Sequence, residues 1–124
     1  MYDLSARKCV EGAINGISSS VIAFGQTGAG KTFTTIGLNN DYRYWGLIPR
    51  TVSEIFKEIP KRHDFSFQVK INYIEIYNET IHDLLDPMLN SNIALHEDPA
   101  YGIMPKGSRI VGVKSEEEAL ELMF

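Results

Sequence analysis

The sequence has very little cysteine, no long hydrophobic run and no excess of positive charge. Cys9 is the only cysteine, so an internal disulfide or a cysteine metal site is excluded and a reducing compartment is indicated. No apolar run approaches the about 20 residues that a membrane helix needs, and the N-terminus lacks the features of a signal peptide. A net charge of -4 argues against a general nucleic-acid binder. We therefore expect a cytoplasmic protein without a membrane or nucleic-acid partner.

The composition is that of one globular domain, with 44% hydrophobic and 23% charged residues in a chain of 124. The first ten residues, MYDLSARKCV, already lie inside an amphipathic pattern. The last six, ALELMF, are those of a helix that should continue. We therefore expect both ends to be cuts within a longer domain.

Several stretches show the hydrophobic spacing of helices. One helix is predicted over residues 3 to 15, with Asn15-Gly16 as a left-handed C-terminal cap. A second should begin at Thr32 and be interrupted by a polar loop between Gly37 and Gly46. A third should run from Pro49 to Pro60. Its buried face is predicted to carry the apolar side chains Ile48, Val52, Ile55, Phe56 and Ile59.

Other stretches predict strands. Val21 to Phe24 is a continuous apolar run, typical of a strand buried on both faces of a parallel sheet. Residues 65 to 77 alternate with a period of two and predict one long strand, in which Ile74 and Ile76 turn into the interior. Shorter strands are expected at 93 to 96, 102 to 104 and 110 to 113. Ser115 with Glu118 predicts a capping box for a last helix.

Gly25 to Thr32 matches the phosphate-loop pattern G-x-x-x-x-G-K-[ST] between a strand and a helix. Gly25 and Gly30 permit backbone geometry that lets N–H groups point at phosphate oxygens. Lys31 places a positive charge against the β- and γ-phosphates, and the Thr32 hydroxyl can coordinate Mg²⁺. The alternative is a glycine-rich turn with an exposed lysine. Glu75 is a further candidate for the metal shell, although a structural ion pair or hydrogen bond also explains it.

The motif thus predicts an α/β fold of the P-loop type that binds nucleotide phosphates together with Mg²⁺. The predicted nucleotide-binding residues are Gly25, Gln26, Thr27, Gly28, Ala29, Gly30, Lys31 and Thr32, of which Thr32 also binds the metal.

Longer strings resemble the kinesin motor domain. VIAFGQTGAGKTFTTIG is similar to its phosphate loop, WGLIPRTVSEIFKEI to the segment after the interrupted helix, and VKINYIEIYNETIHDLLD to its long strand. HEDPAYGIMPKGSRIVGVKSEEEALELMF is similar to the strand pair and helix that follow. The likeness spans nearly all of residues 1 to 124. The resemblance implies an incomplete motor domain of an ATP-driven microtubule motor, with a P-loop NTPase-type mixed sheet flanked by helices and with ATP and Mg²⁺ as cofactors.

The resemblance implies roles for further residues and shows which segments of the family do not occur in residues 1 to 124. Phe33 stands where the family packs a side chain against adenine, and Lys106, Arg109 and Lys114 belong to a microtubule-contact loop or to a solvated basic face. The family's first strand, with its Arg-x-Arg-Pro segment, is absent from residues 1 to 124, and so are the switch I and switch II strings. We therefore expect the fragment itself to bind nucleotide weakly and not to hydrolyse it.

Within the family, the GLIPRT string and the final residues resemble kinesin-9 motors, which implies the cytoskeleton and a cilium or flagellum as location. Two other classes stay open at this point. One is a different P-loop NTPase, and the other is a nucleotide-binding or structural kinesin-like module without motor activity.

Overall fold

The computed structural model describes residues 2–38, 41–89 and 93–124. Asn39 and Asn40 of the predicted loop therefore lie outside the described residues. The chain divides into two compact units, Met1–Phe67 together with Phe124, and Gln68–Met123.

The first unit begins with two helices, α1 (Tyr2–Ser5) and α2 (Arg7–Ile14), where one helix was predicted. The predicted cap is confirmed, since Gly16 is left-handed at φ 85°. The Ile17 N–H donates to the Gly12 carbonyl at 2.9 Å, and the Gly16 N–H donates to the Ala13 carbonyl at 3.0 Å. These are the two bonds of a Schellman motif, which ends the helix by satisfying its last carbonyls.

The predicted buried strand at Val21 to Phe24 is wrong for this chain. Its residues pair with no other strand in the described ranges. The side chain of Ile22 is 85% exposed and that of Phe24 is 97% exposed. A strand exists by hydrogen bonding to a neighbour, and no described segment lies beside this one as a ladder partner.

The phosphate loop leads into α3 (Lys31–Thr35), followed by a 3-10 turn (Tyr42–Tyr44), α4 (Leu47–Glu58) and a second 3-10 turn (Ile59–Lys61). The predicted interruption between α3 and α4 is confirmed. Its base is closed so tightly that a Cβ on Gly37 would lie 2.0 Å from the Tyr44 carbonyl oxygen. A Cβ on Gly46 would lie 2.5 Å from the backbone of Thr35. Glycine is required at both positions by space.

The buried face of α4 differs from the predicted one. Leu47, Pro49 and Ser53 are its buried residues, whereas Ile48, Val52, Ile55, Phe56 and Ile59 are only half-buried. Val10, on α2, and Ala6, directly before it, are also buried. The core of this unit therefore consists of few side chains, of which Leu47 is the largest apolar one, and the larger apolar face of α4 stays partly uncovered.

Residues 68–89 and 93–123 of the second unit form six strands and one α-helix, with a 3-10 turn (Pro87–Leu89) between the third and fourth strands. The strands are β1 (Val69–Ile71), β2 (Ile74–Tyr77), β3 (Thr80–Asp83), β4 (Ala94–Asp98), β5 (Gly102–Lys106) and β6 (Val111–Val113), and the helix is α5 (Glu116–Met123). The three short strands predicted in the last third of the chain are confirmed. All pairs are antiparallel, and they join β1 with β6, β2 with β3, and β4 with β5.

The predicted long strand is divided between two pairs. Val69 faces Val113 in the first pair, whereas Ile74 faces Asp83 in the second. The strand changes partner at Asn72 and Tyr73, which the alternation in the sequence does not reveal. Ile76, predicted to be interior, is 68% exposed, so that prediction is wrong.

Asn78 and Glu79 connect β2 to β3, a strand that the sequence did not predict. Both residues are left-handed, with φ of 50° and 61°, the signature of a two-residue type I′ turn. The turn is difficult to recognise from sequence because its second position holds glutamate where glycine is usual.

The cap of α5 is half confirmed. The Glu118 N–H donates to the Ser115 hydroxyl at 3.1 Å, as a capping box requires. The Glu118 carboxylate, however, accepts from the N–H of Lys114 at 2.6 Å, one residue before the expected position.

Candidate functional site

The backbone of the phosphate loop has the shape that its glycines predict. Gly28 and Gly30 are left-handed, with φ of 83° and 88°, and Gly30 directly precedes α3. The Ala29 N–H turns inward to the Gln26 carbonyl at 3.1 Å. A side chain at position 28 or 30 would meet no atom within 4 Å. Backbone conformation therefore requires these glycines.

Four backbone N–H groups between residues 28 and 32 of the loop are available to a ligand. Within the described ranges, the N–H groups of Gly28, Gly30, Lys31 and Thr32 donate to no protein acceptor. The residues around them are exposed from Gln26 to Gly30. Such a run of free donors in a left-handed turn is an anion nest, because it presents several N–H groups to one negative group.

The Lys31 ammonium lies over the same loop. Its Nζ donates to the carbonyl oxygen of Gly25 at 2.7 Å and to that of Gln26 at 2.8 Å. The side chain therefore holds its charge back over the turn that carries the free N–H groups. It can exchange two carbonyl partners for a more strongly attracting anion.

Thr32 and Phe33 are the remaining predicted site residues, and both are exposed in the first turn of α3. A hydroxyl oxygen is a suitable ligand for Mg²⁺. The Phe33 ring is 56% exposed and lines a cavity of about 610 Å³ with Thr34, Tyr44, Trp45 and Arg50 among its other walls. The helix that follows the loop thus carries one exposed aromatic ring, that of Phe33.

The loop that forms one wall of this cavity is fastened to α4 by Arg50. Arg50 Nε donates to the Trp45 carbonyl at 2.9 Å, and Nη2 donates to the Tyr42 carbonyl at 3.0 Å. Its guanidinium carbon also lies 4.9 Å from the centre of the Tyr42 ring, within cation–π range. Tyr42 and Trp45 are in turn in ring contact at 4.9 Å between centroids.

Asp41 fixes the start of the same loop. Its carboxylate accepts from the guanidinium and from the backbone N–H of Arg43. The Arg43 guanidinium, and secondly that N–H, hold the pKa of Asp41 below its ordinary value. Sequence reasoning missed both Arg50 and this pair. The available signal was an arginine directly after Pro49 in the first turn of a helix that follows a polar loop.

Glu75, the other predicted candidate for the metal shell, has no cluster of metal-binding side chains around it among the described residues. Glu75 is exposed in the middle of β2 and faces His82 across the strand pair. In the ranges 2–38, 41–89 and 93–124, no group of three or more His, Cys, Asp or Glu could hold a metal ion. No helix among these residues is long and apolar enough to cross a membrane.

Comparison with known proteins gives a consistent result. The model of the kinesin motor domain matches residues 1–124. The chain is 40% identical to kinesin-like protein KLP1 of Chlamydomonas reinhardtii over 125 residues, covering 99% of this chain and 16% of that protein. It is 33% identical to human kinesin-like protein KIF9 over 129 residues, covering 100% of this chain and 16% of that protein.

The solved structure of a fast kinesin, described for its ATPase mechanism and its interactions with microtubules, superimposes with a TM-score of 0.91. It is 39% identical to this chain, and the match covers 98% of this chain and 35% of the other. The predicted fold class is thereby confirmed.

Proposed function

Because this chain belongs to the kinesin motor-domain family, we propose that it is the ATP-binding part of a microtubule motor that couples ATP hydrolysis to movement along microtubules. The chain spans about a sixth of the curated relatives described above and 35% of the solved kinesin chain. Residues 1 to 124 are accordingly proposed to be one part of a longer motor domain, and motor activity is a property of that longer protein.

The observation that carries the nucleotide-binding proposal is the set of free N–H groups beside the Lys31 ammonium. Gly25 to Thr32 would hold the phosphates of ATP, with Lys31 supplying the fixed positive charge. Thr32 would provide an oxygen to Mg²⁺, which neutralises phosphate charge when bound. Phe33 would pack against the base, since its exposed ring lies on the helix that the loop leads into.

The proposed partner is the microtubule, bound by the complete motor domain. Lys106 and Lys114 are exposed in this chain, and they are the basic side chains we assign to the contact. The Arg109 guanidinium lies 3.7 Å from the Asp86 carboxylate. Because this ion pair offsets its charge, we assign Arg109 a smaller contribution to microtubule binding than the two lysines. The likeness to KIF9 supports the kinesin-9 proposal made from the sequence and, with it, a location on the ciliary cytoskeleton.

The function is tested by the ATP turnover of the full-length protein with and without microtubules. We expect microtubules to raise turnover at least about tenfold, because a motor must link its catalytic cycle to its track. Unpolymerised tubulin at equal concentration is the control. Equal and negligible turnover in all samples would contradict the motor function and favour a nucleotide-binding or structural kinesin-like module without motor activity.

A further inference from the structure

Three segments of the second unit meet where the predicted long strand changes partner. Asn72 lies between β1 and β2, Asp83 ends β3, and residues 107–110 connect β5 to β6. These segments are joined by hydrogen bonds from side chains, two of them to backbone groups of Arg109.

Asp83 is the centre of this junction. Its side chain is 1% exposed. One carboxylate oxygen accepts from the Leu85 N–H at 2.8 Å, and the other accepts from the Arg109 N–H at 2.5 Å. Burying a carboxylate costs free energy unless it is hydrogen-bonded. The two N–H groups therefore stabilise the Asp83 carboxylate, and the carboxylate in turn fixes the backbone at Leu85 and Arg109.

Asn72 holds the same segment from its exposed side. Its Nδ2 donates to the Arg109 carbonyl at 2.6 Å and to the Ser108 hydroxyl at 3.1 Å. The Ser108 hydroxyl donates in turn to the Pro105 carbonyl at 3.2 Å. Both backbone groups of Arg109 are therefore bound by side chains: Asn72, between β1 and β2, binds the carbonyl, and Asp83, at the end of β3, binds the N–H.

We propose that Asp83 is a positioning residue for microtubule binding: its carboxylate fixes Arg109 in the connection that follows β5, and Lys106 is the last residue of β5. This inference rests on the microtubule-motor function proposed above. It requires both carboxylate oxygens, because asparagine has one oxygen and would turn an N–H donor toward either Leu85 or Arg109. Asp83→Asn therefore keeps the size of the side chain and removes one of the two backbone bonds.

The experiment compares full-length wild-type protein with Asp83→Asn and with Asn72→Ala. The control is Asp64→Asn, which removes the same charge at an exposed position in the other unit. For Asp83→Asn we expect the microtubule concentration for half-maximal ATP turnover to rise at least about fivefold, since buried hydrogen bonds to charged groups are among the stronger ones. Turnover at saturating microtubules and affinity for a fluorescent ATP analogue should stay within about twofold.

Amide hydrogen exchange gives a second readout, and the Arg109 N–H should exchange faster in Asp83→Asn than in wild type and the control. Asn72→Ala should also raise the microtubule concentration for half-maximal ATP turnover, by a smaller factor. If Asp83→Asn does not fold, the result for Asn72→Ala tests the proposal in its place. Folded variants with wild-type half-maximal concentrations would overturn the proposal. If microtubules do not stimulate the wild type, the motor function fails, and unchanged exchange at Arg109 would then also overturn the positioning role.

Discussion

Replacing Lys31 by alanine in the full-length protein is expected to weaken ATP binding at least about 100-fold. Lys31 Nζ lies over the loop and has two carbonyl partners that it can exchange for phosphate oxygens. Hydrogen bonds to charged groups contribute about 1.5–3 kcal/mol each, and about 1.4 kcal/mol changes affinity tenfold. Two such contacts therefore account for the expected loss, which titration with a fluorescent ATP analogue measures.

Lys8→Ala is the matched control, because Lys8 is an exposed lysine on α2 and its replacement should leave affinity within about twofold. Thermal unfolding without nucleotide should confirm that the Lys31→Ala protein is folded. Wild-type affinity in folded Lys31→Ala would exclude Gly25 to Thr32 as the phosphate site.

The 124-residue chain by itself is expected to show no ATP turnover, even at high microtubule concentration. Phosphoryl transfer depends on positioning and charge stabilisation around the attacking water. The switch strings that the family resemblance assigns to these tasks do not occur in residues 1 to 124. In our proposal, Gly25 to Thr32 supply phosphate binding alone, and binding without positioning gives no catalysis.

The same chain is also expected to aggregate or to unfold without cooperativity. Phe24 and Phe65 are 97% and 68% exposed, and Phe67, Ile71, Ile74 and Leu120 are only half-buried. Apolar surface of this kind usually marks a missing neighbour or an aggregation site. Size-exclusion chromatography, thermal unfolding and a turnover assay test both expectations. A monomeric, cooperatively unfolding chain with steady hydrolysis that Lys31→Ala abolishes would contradict them.

The phosphate loop could be predicted because its requirements are local. Left-handed backbone at Gly28 and Gly30 and the return of Lys31 to the Gly25 carbonyl involve residues within a few positions of one another. The cap at Gly16 and the start of α5 at Ser115 follow from equally short patterns. Local backbone chemistry is readable from sequence because few alternatives compete with it.

Strand partners and distant hydrogen bonds could not be predicted in the same way. Val21 to Phe24 has the composition of a strand, but pairing depends on a neighbour from elsewhere in the chain. The division of residues 65 to 77 reflects two pairing partners, β6 for β1 and β3 for β2, and Asn72 at the division contacts the Arg109 backbone, 37 positions away. The bond between Asp83 and Arg109 was missed for the same reason. Arg50 was missed although its partners are near in sequence, because they are backbone carbonyls that no side-chain pattern marks.

The most direct measurement is a structure of the full-length motor domain bound to Mg²⁺ and a non-hydrolysable ATP analogue. We predict that Lys31 Nζ leaves the carbonyls of Gly25 and Gln26 and lies within hydrogen-bond distance of a phosphate oxygen. The N–H groups of Gly28, Gly30 and Lys31 should donate to phosphate oxygens, and the Thr32 hydroxyl should bind the metal. A nucleotide bound elsewhere, with Lys31 still donating to the two loop carbonyls, would contradict the assignment of this loop as the ATP site.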